Sequence, residues 1–142
     1  MNITFLSTLV AVGWGLSGVF QKLLLKELNS RTVMIFSSSA YFMFLMVYLY
    51  CVRKEVIPNL SKINKKLVLY FLLNGLIGIL LPNILYYYIA KKSSISLVTV
   101  LTSTYPIWTL IFSYFILNEK LSKNVLFGIF LVTVGILWIN KN

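Results

Sequence analysis

The sequence predicts an all-α integral membrane protein with five membrane-spanning helices. Three observations carry that expectation. Hydrophobic residues make up 59% of the 142 residues. Charged residues are only 11%, against about 25% in a soluble domain. Apolar runs long enough to cross about 30 Å of hydrocarbon at about 1.5 Å per residue recur along the chain, and most of the basic residues fall between them. The spans are expected at 3–25, 32–52, 67–90, 95–117 and 125–139, in a single domain over 1–142. The connections are short except 53–66, which contains Pro58.

The first span has no Lys or Arg ahead of its apolar run, and the run continues to Leu25. It therefore reads as a retained helix rather than a cleaved signal. Gly13, Gly15 and Gly18 would weaken a soluble helix but permit close approach in a membrane. Trp14, Ser17, Gly18 and Gln21 share one face. Lys22 lies about one turn inside the span's end. Its long stem suits snorkelling to the interface, and the competing reading is an intramembrane cation at the mouth of a cavity. The second span, with Ser37, Ser38 and Ser39, is mostly structural, and Tyr48 and Tyr50 suit an interfacial belt.

The third span holds Asn74, Gly75, Gly78, Pro82 and Asn83, then Tyr86, Tyr87 and Tyr88. Amides at membrane depth must find partners, either as glue between helices or as a polar path lining. The fourth span has no charged residue from Ile95 to Leu117. Pro106 near its middle cannot donate to the carbonyl of Thr102, so a kink is expected. Thr99, Thr102, Ser103 and Pro106 fall on one face, which suits either helix packing or a cavity lining. The span stops at Glu119 and Lys120. In the fifth, Gly128 and Gly135 share a face as an expected contact stripe, with Trp138 as an interfacial anchor.

Several function classes are disfavoured. The chain has no His and no Asp, so a Ser-His-Asp or Cys-His arrangement cannot be built. The single cysteine, Cys51, rules out an internal disulfide and a cysteine-cluster metal site. The net charge of +10 is scattered over gaps and forms no continuous basic face for nucleic acid. Neither an enzyme nor a cofactor is expected.

The ordered set of features resembles the EamA domain of the drug/metabolite transporter superfamily. It comprises Trp14-Gly15, Lys22 eight residues after the tryptophan, the helix proline Pro106, the segment LNEKLS with Glu119, and Gly128 and Gly135 in the last helix. The resemblance covers nearly the whole chain. It implies that this chain is one five-helix half of a ten-helix transporter whose second half is inserted in the opposite sense. It implies transport of small metabolites in a cell membrane. The partner would be a second copy or a paired five-helix chain, and no residue would be catalytic. The expected substrate cavity comprises Trp14, Gln21, Asn74, Thr102, Ser103 and Tyr105. Gly15, Gly18, Lys22, Pro82, Pro106, Glu119, Gly128 and Gly135 are expected in hinge or structural roles. The chain is also similar in size to the small multidrug resistance proteins, but residues 3–25 contain no acid. That argues against proton-coupled export by their route. Two further readings are a lipid-carrier flippase subunit and a non-transporting scaffold.

Orientation is weakly encoded. One side would carry Arg53, Lys54, Lys62, Lys65, Lys66, Lys120 and Lys123, and the other Lys22, Lys26, Arg31, Lys91, Lys92 and Lys141. Seven against six is almost no positive-inside bias. Dual insertion and a single orientation with the N-terminus inside are both compatible with it.

Overall fold

Five of the helices start at a side chain that supplies the missing acceptor. The computed structural model describes residues 2–139, so Lys141 lies outside the described residues. Helix α1 (Ile3–Glu27) begins after Asn2, whose side chain accepts the Thr4 amide at 3.0 Å. Helix α2 (Ser30–Leu60) begins after Asn29, which accepts the Thr32 amide at 2.8 Å. Helix α3 (Lys65–Leu73) follows Asn64, which accepts the Leu67 amide at 3.0 Å. Helix α5 (Ile95–Thr102) follows Ser94, and α7 (Lys123–Ile139) follows Ser122; their hydroxyls accept the amides of Leu97 and Val125. Each cap satisfies one of the orphan amides of a first helical turn. This lets the chain restart a helix after very short connections.

Between α3 and α4 (Leu81–Lys92) the backbone winds as a π-helix over Asn74–Leu80. The three pieces make one apolar stretch, Lys65–Lys92. Helices α5 and α6 (Tyr105–Leu117) likewise share the stretch Ile95–Leu117. Four stretches are therefore long and apolar enough to cross a membrane, and α7 is a shorter apolar fifth. The all-α, five-helix expectation holds.

Most helix ends fall within about two residues of those expected, and two differences are larger. α2 continues through 53–60 to Leu60, so the connection expected at 53–66 shrinks to 61–64. The expectation stopped at the bilayer's edge, but a helix needs no lipid to continue. Pro58 withholds a donor from the carbonyl of Lys54, close to the helix end where water can solvate the freed group. The span at 95–117 is broken rather than kinked. α5 ends at Thr102, Ser103 and Thr104 form a turn, and α6 restarts at Tyr105 with Pro106 in its first turn. A first turn is where a proline's missing amide costs nothing.

The chain divides into two units, Met1–Ser93 and Ser94–Asn142. In the first, α1, α2 and α4 pack on one another. Leu25 and Val33 are almost fully buried there, joined by Tyr87 and Ala90. All four lie near the end of α1, the start of α2 or the end of α4, so the packed core sits at one end of the unit. Ala90 is 0% exposed, a small residue where backbones come close. In the second unit the buried residues are Val98, Ser113 and Ile136, one on each helix. The expected glycine stripes are not buried within the chain. A Cβ placed on Gly13, Gly15, Gly128 or Gly135 would meet open space, whereas Gly18 is buried. Seven-residue spacing puts glycines on one face but does not decide which neighbour that face meets.

Candidate functional site

The core end of the first unit is fastened by two lysines that cross in opposite directions. Lys22 of α1 donates to the carbonyls of Ala90 at 2.7 Å and Ser93 at 2.6 Å, at the C-terminus of α4. Lys91 of α4 donates to the carbonyls of Leu25 and Leu28, at the C-terminus of α1. The last carbonyls of a helix have no partner inside it, and the helix dipole is negative there. An ammonium from the neighbouring helix answers both conditions. Lys22 therefore does not act as a lone snorkelling cation; it is a cap for α4. The sequence placed it one turn inside its span but carried no signal for partners 68 and 71 residues away.

Alongside this stretch of α1 lies a groove of about 390 Å³ between α1 and α2, lined by Gly13, Ser17, Phe20, Gln21 and Ser37, among others. The Gln21 amide donates to the Ser17 hydroxyl at 3.2 Å. Its oxygen is buried and, among the described residues, has no hydrogen-bond partner. A buried acceptor left unmade costs about 1–3 kcal/mol. Trp14 is 68% exposed and lies outside the groove lining.

Asn74 opens the π-helical segment. Its side chain is exposed on the helix surface. Its Oδ1 lies over Gly78, 2.8 Å from where a Cβ there would stand. The missing side chain at Gly78 is what lets the amide lie along the helix. The wider winding is visible at Leu81, whose amide reaches back five residues to the carbonyl of Leu76. Next comes Pro82, which cannot donate at all. π-helical bulges recur at functional sites. Asn83 is half-buried, and the three tyrosines part ways, with Tyr86 half-buried, Tyr87 buried and Tyr88 exposed.

In the second unit the break before Pro106 is lined with hydroxyls. Thr102 donates to the Val98 carbonyl at 2.8 Å, Ser103 to Thr99 at 2.7 Å, and Thr104 to Leu101 at 3.1 Å. The hydroxyls hold the carbonyls of the last turn of α5, where the helical ladder ends. Thus the polar side chains expected to face a cavity also serve the local backbone. Tyr105 is 58% exposed. Glu119 is exposed and lies just past α6. There Asn118 adopts a left-handed conformation (φ 54°), and the amides of Asn118 and Glu119 both reach the Ser113 carbonyl. The structure thus sets the adjacent residues Gln21 and Lys22 of α1 beside the core, and sets Thr102, Ser103 and Tyr105 at one helix break. Trp14 and Asn74 stand elsewhere on the first unit. The π-helical winding was missed by sequence reasoning; Gly75, Gly78 and Pro82 within one span were its only trace.

The family model described as "EamA-like transporter family" matches residues 1–141. The chain belongs to the EamA-like transporter family. It is 32% identical over 96 residues to a Bacillus subtilis (strain 168) protein named "Uncharacterized transporter YetK". The match takes in 68% of this chain and 28% of that protein, so this EamA chain aligns with just over a quarter of its relative. No solved structure matches it. The EamA membership agrees with the apolar helices in making this a multi-pass membrane protein.

Proposed function

We propose that this EamA chain is one five-helix half of a transporter for small polar or amphipathic metabolites. It works against a second, oppositely inserted five-helix unit, either another copy or a partner chain, in the cell membrane. The observation that carries this reading is that two of its spanning stretches are interrupted part-way, each next to a proline. One winds as a π-helix over Asn74–Leu80 before Pro82. The other turns at Ser103–Thr104 before Pro106. Discontinuous membrane helices recur at transporter binding sites, where the loosened backbone offers polar groups away from water. Trp14, Gln21 and Asn74 in the first unit, and Thr102, Ser103 and Tyr105 in the second, are the proposed substrate-facing residues. Pro82 and Pro106 mark where the segments flex.

The test is a thermal-unfolding screen of the purified chain against a broad metabolite panel. A ligand of the folded form raises the melting temperature by mass action. Asn74→Ala and Thr102→Ala should each reduce that shift. If both variants keep the full shift, the site assignment is wrong. If no metabolite shifts the wild type, a non-transporting scaffold is the better reading.

A further inference from the structure

We propose that the cleft between the start of α2 and the end of α4 seats an anionic phospholipid, with its phosphate on Arg31 and one acyl chain between the helices. The cleft has a volume of about 520 Å³. Its polar lining is confined to one end. Ser30 and Arg31 are the first residues of α2, and Tyr88 lies on the last turns of α4. One turn deeper the walls are Met34, Ile35, Ile84 and Leu85, all apolar. A turn is about 5.4 Å of rise, enough for the first few methylenes of a chain whose head stays at the interface.

The charge at that mouth selects the head. Lys22, Lys26, Lys91 and Lys92 belong to the same helix ends as Arg31, with Glu27 the single acid among them. Lys22 and Lys91 direct their protons to backbone carbonyls. Lys92 donates to the Tyr88 hydroxyl and sits 4.1 Å from the centre of its ring, which anchors the far wall of the mouth. Arg31 brings a planar fork suited to two phosphate oxygens, at the positive end of the long α2 dipole. Basic pockets between membrane helices take anionic head groups by these means. A free phosphate gains nothing from the apolar floor. A choline head brings its own cation to an already cationic mouth.

The experiment uses the purified full chain in a non-ionic detergent. Native mass spectrometry and thermal unfolding are read with phosphatidylglycerol, phosphatidylcholine or inorganic phosphate. Phosphatidylglycerol should be retained and should raise the melting temperature, and phosphatidylcholine should bind about fivefold more weakly or worse. Inorganic phosphate should leave the melting temperature unchanged. Arg31→Gln should weaken phosphatidylglycerol retention about fivefold, while Lys54→Gln, at the far end of α2, should leave it unaltered. Leu85→Trp fills the cleft below an intact Arg31 and should also abolish retention. That variant decides the matter if Arg31→Gln does not fold. Equal binding of the two lipids, equal losses in Arg31→Gln and Lys54→Gln, or a phosphate shift matching that of the lipid would each overturn the proposal.

Discussion

Replacing Lys22 by Met keeps the stem and removes the ammonium, leaving the carbonyls of Ala90 and Ser93 to find other donors. Both hydrogen bonds are short, 2.7 and 2.6 Å, and the lysine is half-buried. Interhelical hydrogen bonds measured by mutant cycles in a membrane protein average about 0.6 kcal/mol and reach about 1.7. A cation on a helix C-terminus adds about 0.3–1 kcal/mol. Two bonds and one dipole contact therefore make Lys22→Met cost about 1.5–4.5 kcal/mol. The assay is reversible unfolding in mixed micelles with increasing denaturing detergent. Lys91→Met, at an exposed lysine, should cost less. Because both lysines hold the same two helix ends, the double variant should depart from additivity by at least about 0.5 kcal/mol. A Lys22→Met protein within about 0.5 kcal/mol of wild type, the usual range for a surface substitution, would refute the reasoning. It would mean that the ammonium reaches interfacial water and that the carbonyl contacts carry no weight.

Three further outcomes are expected. Ala90→Leu overfills a position that is 0% exposed and should destabilise by about 1–3 kcal/mol in the same unfolding assay. Gly78→Ala puts a Cβ 2.8 Å from Asn74 Oδ1, so the flexible amide should swing away while stability changes by less than about 1 kcal/mol. Its metabolite-induced thermal shift should then fall as in Asn74→Ala, and a full shift would separate the amide from ligand binding. Asn118→Gly relieves the left-handed conformation at φ 54° and should hold or slightly raise the melting temperature, whereas Asn118→Val should lower stability by about 1–2 kcal/mol.

Much of the helical layout was legible because the bilayer imposes a length and excludes charge. Ile95–Leu117 reads as one apolar stretch because charge is absent from it and returns just outside it. The end of α2 was not legible, because hydropathy reports where lipid stops and not where a helix stops. The proline at 106 announced a disturbance, but a kink and a turn differ only in whether Ser103 and Thr104 keep helical bonding. That depends on how well their hydroxyls serve the carbonyls behind them. Lys22 was visible as an anomaly, yet its role was not, since backbone carbonyls are acceptors that no sequence pattern marks. Asn74 was visible but unassigned for a related reason. An amide in an apolar run must find a partner in the assembled protein, but nothing in the run says whether the partner lies in the same chain.

The paired lysines also divide mutational risk unevenly. Every acceptor in the joint belongs to the peptide backbone, and every residue type supplies that carbonyl. Substitution at Ala90, Ser93, Leu25 or Leu28 can crowd the joint but cannot delete an acceptor. All the chemical identity rests on two positions, Lys22 and Lys91, where most single changes remove the donor outright. Sequence drift can therefore rewrite the receiving helix ends freely within the limits of size, while the two giving positions behave as single points of failure.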